Sequence, residues 1–306
     1  MSQILVSGLI NLETTVKVDG FPIAYQPARY PFFGVNSTVS GVGYNIARAL
    51  HTLGRDIQFL SMVGQDWIGQ MTLDVIGQQG IKTGYILPRL QQTAQSVILY
   101  DGKGRRQINV DLKDNQETPY PAVHFEQAAT DCNLAVLCNI NFSRPFLAKA
   151  KSLNLTVATD VHDLADLDDD YNRDYMAGAD ILFLSHERLP DTPENVASQL
   201  IGKYGNAIVV IGLGSQGALL AVRDDNQVER YPAVVTRPVV NTIGAGDSLF
   251  SAFVHEFSLH QDPYLALRKA IVFASYKIGV SGAADGFLTQ AELDKWVEKV
   301  SAEGSY

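Results

Sequence analysis

The chain has 306 residues, of which 46% are hydrophobic and 19% charged, and its formal net charge at pH 7 is −9. This length can bury the core of one large α/β domain. The negative charge argues against nucleic acid as a partner, because phosphate binding needs clustered Lys and Arg. No apolar run approaches the roughly 20 residues that span a bilayer, so we expect no membrane segment.

The N-terminal residues 1–6 lack a basic stretch and a cleavage site, and they predict a first β-strand of a cytoplasmic protein. The two cysteines, Cys132 and Cys138, match neither a redox pair nor a zinc knuckle. We interpret them as buried, reduced thiols. The histidines show no paired spacing that would indicate a metal site.

Short apolar runs predict a series of β-strands, with helical patterns between them. These runs are residues 4–7, 57–62, 134–138, 155–159, 181–184 and 207–211. Their alternation with helices predicts a doubly wound, mostly parallel sheet flanked by helices, formed by the whole chain, 1–306, as one domain.

Two regions break this alternation and predict a small β lid inserted from about residues 12–40 and 94–113. Residues 14–18 and 30–39 are β-rich with no helix between them, and residues 96–110 have the pattern of a hairpin with a Gly turn. Such a lid would exclude water from a reactive site.

A glycine-rich segment at residues 40–45 leads into an amphipathic stripe that stops at Gly54. We expect Gly41 and Gly43 to let a ligand approach the backbone, and Asn45 to hydrogen-bond a polyol. The alternative is a plain helix N-terminus with Asn45 as its cap.

The most informative segment is residues 240–247, which runs into an amphipathic helix. The valines at positions 234, 235, 239 and 240 predict a strand before it. Backbone N–H groups at Gly244, Ala245 and Gly246 could bind an anion at the helix N-terminus. Asp247 would then be a base that takes a proton from an attacking hydroxyl. The alternative is that Asp247 only caps the helix.

The residues 212–217 spell GxGxxG, which raises the alternative of a nicotinamide-dependent dehydrogenase. However, the residues that follow, 218–222, have the length of a strand and end in a turn signal. We therefore predict strand, loop and strand in place of a dinucleotide fingerprint. No GxxxxGK[ST] segment occurs, which excludes the P-loop kinases.

Together, the segments at 40–45 and 241–247 resemble the signatures of the ribokinase-like (PfkB) carbohydrate kinases, and the resemblance covers essentially the whole chain. It implies an ATP-dependent kinase that uses Mg²⁺ to phosphorylate a hydroxyl of a sugar or sugar-like molecule, with a lid that often pairs two subunits into a homodimer. The residues it implies for the substrate are Asn11, Glu13, Gly41, Gly43 and Asn45. For the nucleotide they are Ser185, Gly214, Gly217, Gly244 and Gly246.

Three positions depart from the family pattern. Asn241 stands where an acid usually helps to hold an activating monovalent cation, so we predict weak or absent potassium activation. Ser185 occupies the place of a family Asn, and Glu187 is offset by one residue from the acid that organises Mg²⁺. Glu13 replaces a shorter sugar-contacting Asp.

The substrate stays open at this stage. Val42 stands where ribokinase has a Lys, and residues 138–141 are similar to pseudouridine kinases of the same family. A nucleoside kinase is therefore one alternative, and a sugar-binding protein without turnover is another.

Overall fold

The computed structural model describes residues 3–302, so the predictions for Met1 and Ser2 lie outside the described residues. Over these residues the strands, in chain order, are β1 Gln3–Ser7, β2 Asn11–Lys17, β3 Val35–Ser40, β4 Ile57–Gly64, β5 Ile86–Leu90, β6 Gln95–Tyr100, β7 Arg106–Asp111, β8 Cys132–Leu137, β9 Thr156–Asp163, β10 Ile181–Ser185, β11 Ile208–Gly212, β12 Ala218–Val222 and β13 Gln227–Tyr231. The α-helices are α1 Val42–Thr52, α2 Trp67–Gln78, α3 Ala122–Ala128, α4 Pro145–Ser152, α5 Arg173–Gly178, α6 Pro193–Tyr204, α7 Ala245–His260, α8 Pro263–Lys277 and α9 Gln290–Ala302.

Nine strands form the large sheet, in the order β13-β12-β11-β10-β9-β8-β1-β4-β5. Strands β8 to β11, β1, β4 and β5 pair in parallel, whereas β12 and β13 add an antiparallel edge. All six strands predicted from apolar runs lie in this sheet, and the predicted fold class is confirmed.

Helices cover both faces of the sheet, and successive strand residues pack into two buried clusters, one on each face. In β1, Ile4 and Val6 pack into one cluster and Leu5 into the other. In β10, Phe183 packs into the first cluster and Leu184 into the second. Strands buried on both faces read as continuous apolar runs, which explains why the sequence revealed them.

The four strands β3-β2-β6-β7 form a second, smaller sheet, which we call the lid. Its β6–β7 hairpin turns at residues 101–105, as predicted, where Asp101 accepts hydrogen bonds from the N–H groups of Lys103 and Arg105. The β-rich stretch predicted at residues 30–39 is shorter, since β3 begins only at Val35. Pro31 breaks it, because its carbonyl closes a turn with the N–H of Gly34.

The strand predicted around residues 234–240 was wrong. The chain there is irregular between β13 and α7, and it contains Pro232 and Pro238, which cannot donate to a sheet ladder. Val235 is 85% exposed, and the N–H of Val240 bonds to the carbonyl of Ile278 at the end of α8. This irregular path brings residues 241–244 over the end of α8.

Candidate active site

The site lies where the N-termini of α1 and α7 meet the base of the lid. The start of α1 packs tightly on the turn between β1 and β2. A Cβ on Gly41, whose φ is 104°, would lie 2.5 Å from the carbonyl oxygen of Leu9, and one on Gly43 would overlap the backbone of Gly8. Packing thus accounts for both glycines, and their contact with a substrate stays a prediction.

A chain of polar side chains connects the lid to α7. Glu13 accepts a hydrogen bond from the Ser40 hydroxyl, with 3.2 Å between oxygens, and Ser40 also lies 3.3 Å from Oδ1 of Asn45. Asn45 in turn donates from Nδ2 to Oδ2 of Asp247 at 2.7 Å. These contacts join β2, β3, α1 and α7. Asn45 is therefore a bridge between α1 and α7, and the N-cap of α1 is Gly41.

Two buried acceptors in this region have no hydrogen-bond partner among residues 3–302. They are Oδ1 of Asn11 and Oε1 of Glu13, whose residues are 4% and 6% exposed. Asn11 instead donates through its amide to Ser96 of β6. Unpaired buried acceptors are costly, and hydroxyl groups of a bound ligand would satisfy both.

Asp247 does not cap α7. The N-cap is Gly244, with a φ of 74° and no side-chain cap, and the N–H of Ala245 donates to the carbonyl of Thr242 at 3.2 Å. A Cβ added to Gly246 would meet nothing within 4 Å. The helix N-terminus around Gly246 and Asp247 is therefore an open cradle lined by N–H groups, and such termini attract anions.

Burial raises the pKa of the Asp247 carboxyl above its usual range, and nearby Asp160 raises it further. Asn45, His162 and Lys277 act in the opposite direction. Burial also raises the pKa of Glu13, to which Asp247 adds repulsion. An aspartate with a raised pKa is a stronger base than one on the surface.

The lid rests directly on the loop that precedes α7. Arg106 of β7 donates to the hydroxyl of Thr242 at 3.0 Å and to its carbonyl at 3.3 Å. Ile98 of β6 packs with Ile243 and Ala283 in a small buried cluster. The lid therefore touches the segment that leads into the cradle.

The residues predicted for the nucleotide lie at the ends of neighbouring strands. Ser185 ends β10, and its hydroxyl lies 3.3 Å from the N–H of the exposed Glu187. Gly214 and Gly217 lie in a short 3₁₀ turn between the antiparallel strands β11 and β12. This loop opens no α-helix, so it is not a dinucleotide fingerprint, and the predicted strand, loop and strand are confirmed.

Magnesium has no preformed cage here. Within residues 3–302, no group of three or more His, Cys, Asp or Glu residues could hold a metal ion. Glu187 stands apart as a single exposed carboxylate. This arrangement fits an ion that enters with substrate phosphates and few protein ligands, which is how Mg²⁺ often binds.

Sequence reasoning missed several residues of the site. Ser40 lies in the glycine-rich segment at residues 40–45 and Arg106 in the predicted hairpin, but hydroxyl and guanidinium groups on strands carry no motif. His162 follows the buried Asp160 in β9 and has a φ of 63°, which is unusual for a residue with a side chain. Lys277 lies at the end of α8, where only the fold brings it to the site.

A mostly parallel α/β sheet with a lid over a glycine cradle and an adjacent carboxylate defines a class of small-molecule kinases. The chain belongs to the pfkB family of carbohydrate kinases, which it matches over residues 1–290.

Similar proteins of known activity cover nearly the whole chain. An acarbose 7(IV)-phosphotransferase of an Actinoplanes species is 26% identical over 95% of this chain and 97% of its own. A ribokinase of Lactococcus lactis is 24% identical over 96% of both chains. Among solved structures, a microbiome-derived acarbose kinase has a TM-score of 0.88 with 25% identity, covering 97% of this chain and 99% of that one. A ribokinase from Thermotoga maritima, 21% identical over 97% and 100% of the two chains, shares the fold with a TM-score of 0.80.

Within residues 3–302, none of the helices is both long and apolar enough to cross a membrane. The predicted burial of the thiols holds for Cys138, whereas Cys132 is only half-buried.

Proposed function

We propose that the protein is an ATP-dependent kinase that phosphorylates a hydroxyl of a sugar or sugar-like molecule, with Asp247 as the general base. The observation that carries this proposal is the position of Asp247, which lies next to the open N–H cradle of α7 and bonds to Asn45 without capping the helix. A capping residue would have to occupy the cradle itself.

The mechanism follows from the residues around the cradle. The substrate hydroxyl loses its proton to the Asp247 carboxylate as its oxygen forms a bond to the γ-phosphorus of ATP, while the bond from that phosphorus to the β,γ-bridging oxygen breaks and ADP leaves. The N–H groups of Ala245, Gly246 and Asp247 stabilise the charge on the transferring group, and that of Ala245 exchanges the Thr242 carbonyl for a phosphoryl oxygen. When bound, Mg²⁺ would supply positive charge to neutralise the phosphates of the nucleotide. Ser185, Gly214 and Gly217 are proposed to contact the nucleotide, and Glu187 the ion.

The sugar is proposed to bind under the lid. Asn11 and Glu13 present unpaired buried acceptors, which favour a ligand with several hydroxyl donors. Backbone groups of Gly41 and Gly43, together with Asn45, would complete this pocket. The lid would then exclude water from the phosphoryl donor.

The test is ATP consumption with a panel of acceptors in the presence of Mg²⁺. The panel contains ribose, fructose, a fructosamine, acarbose and several nucleosides including pseudouridine, because the relatives are kinases of different acceptors. Turnover with a sugar supports the proposal, and turnover with nucleosides alone would favour the nucleoside alternative. Saturable sugar binding without any turnover would favour a non-catalytic sugar-binding protein.

We also propose that the lid pairs two copies of the chain. Ile108 and Val110 in the edge strand β7 are 51% and 50% exposed, and Val35 in the opposite edge strand is 52% exposed. Apolar edge strands favour association. Sedimentation of the wild type against an Ile108→Lys, Val110→Lys variant tests this, with a dimer expected only for the wild type. A wild-type monomer at micromolar concentration would refute it.

A further inference from the structure

Lys277 is a fully buried lysine that the mechanism above does not use. It is the last residue of α8, its relative exposure is 0%, and its ammonium donates to the carbonyl of Ile243. Burying a charged ammonium is costly unless it is paired, so its position calls for a function.

The carbonyl that Lys277 holds belongs to the residue immediately before the cradle. On the other side of this turn, the N–H of Ile243 donates to Oδ1 of Asn241 at 3.0 Å. Gly244, next in the chain, has a left-handed backbone and packs against the carbonyl of Ala283. Lys277 therefore fixes one end of a turn that sets the direction of the N–H groups at residues 245–247.

The charges around Lys277 come from four different elements. Asp247 of α7, Glu13 of the lid and Asp285 of the following loop all favour its charged form, whereas Arg237 opposes it. In return, Lys277 lowers the pKa of both Asp247 and Glu13. It is thus a shared positive charge between two carboxylates that repel each other.

We propose that Lys277 is a positioning residue for phosphoryl transfer, which orders the turn before the cradle and keeps Asp247 ionised as the base. This inference rests on the proposed kinase function.

Burial lowers the pKa of Lys277 to about 8. The ammonium would lose its charge as the pH rises past this value, and kcat should fall with it. The loss of this charge should not lower the free energy of unfolding above pH 8. Between about 8 and the ordinary value of 10.5 the unfolded chain binds the additional proton, so this group stabilises the fold as the pH rises.

The experiment compares kcat against pH for the wild type, Lys277→Met and a matched control, Lys269→Met. Lys269 lies in the same helix and is largely buried, but it pairs with Glu256 and Asp294 away from the cradle. We expect Lys277→Met to lower kcat at pH 7 on the order of 10- to 100-fold, the effect of one charged hydrogen bond, and to lose the alkaline limb. Lys269→Met should keep the limb.

A second variant separates positioning from packing. In Lys277→Ala, methylammonium should restore part of kcat in a saturable manner, and tetramethylammonium at the same ionic strength should not. If Lys277→Met does not fold, the wild-type profile still decides, because a kcat that is constant from pH 7 to pH 9.5 would overturn the proposal.

The failures are distinguishable. A wild type that phosphorylates no acceptor refutes the kinase function itself. An active wild type whose alkaline limb persists in Lys277→Met refutes only the role of Lys277.

Discussion

Replacing Asp247 with Asn separates catalysis from stability at this site. The side chains have the same size, and the amide oxygen of Asn can still accept the hydrogen bond that Asn45 donates at 2.7 Å. The amide cannot take the hydroxyl proton. We therefore expect kcat to fall on the order of 10²–10⁴-fold, the usual effect of losing a general base, while ATP and sugar affinities stay nearly constant.

The structure also predicts the sign of the stability change. Because burial raises the pKa of Asp247, the charged carboxylate opposes folding near neutral pH. The protonated carboxyl stabilises the folded state. This stabilisation is fully present below the ordinary aspartate pKa and is lost as the pH rises through the higher pKa of the folded protein. Asp247→Asn should melt at the same temperature as the wild type or higher at pH 7, and this advantage should shrink in acid.

A real helix cap provides the matched control. Asp262 accepts hydrogen bonds from the N–H groups of Tyr264 and Leu265 at the start of α8. Asp262→Ala should lose about 1 kcal/mol of stability and keep kcat. The assay is ATP consumption with the best acceptor of the panel, with calorimetry for binding and thermal melts at two pH values. An Asp247→Asn variant with near-normal kcat and a lowered melting temperature would refute the base assignment.

Three further predictions follow from the same geometry. Gly246→Val should keep the fold but impair turnover, because the valine side chain would enter the open cradle. The control Gly244→Ala should mainly lower the melting temperature, because its Cβ would lie 2.6 Å from the carbonyl oxygen of Ala283. Unchanged turnover in a folded Gly246→Val variant would contradict the cradle. Exchanging potassium for a bulky organic cation at constant ionic strength should change kcat little, since Asn241 lacks a charge; a large loss would reveal a cation site. Arg106→Ala removes the hydrogen bonds between the lid and Thr242 and should raise KM. The free energy of unfolding should change by less than about 1 kcal/mol, as for a surface contact. An unchanged KM would show that this contact does not hold the lid.

The large sheet could be predicted from the sequence because its central strands are buried on both faces. Residues such as Val136 and Phe183 sit in unbroken apolar runs, and such runs are visible without any contact information. The same rule failed at Val235 and Val240, where valines alone suggested a strand. There the two prolines prevent a regular strand and the valine side chains are exposed. The burial of a side chain cannot be predicted from one short segment alone.

The site could be predicted only where glycine or a motif marks it. Asn45 and Asp247 were found in this way, and the structure joins them by a direct hydrogen bond across the chain. Lys277 could not be found, because a lysine at a helix C-terminus is usually a solvated residue that interacts with the helix dipole. Only the packing of α8 against the loop at residues 241–244 makes it a buried cation.

The glycines of the two motifs have different physical causes. Gly41, Gly43 and Gly244 each face backbone atoms of another segment at a distance that leaves no room for a Cβ, so packing within the protein explains them. Gly246 faces open space, so nothing within the fold requires a glycine there. A residue that the fold leaves unexplained, at a helix N-terminus and one position before a carboxylate, is where an incoming anion would need the space. This is why the phosphoryl group is proposed to lie over Gly246.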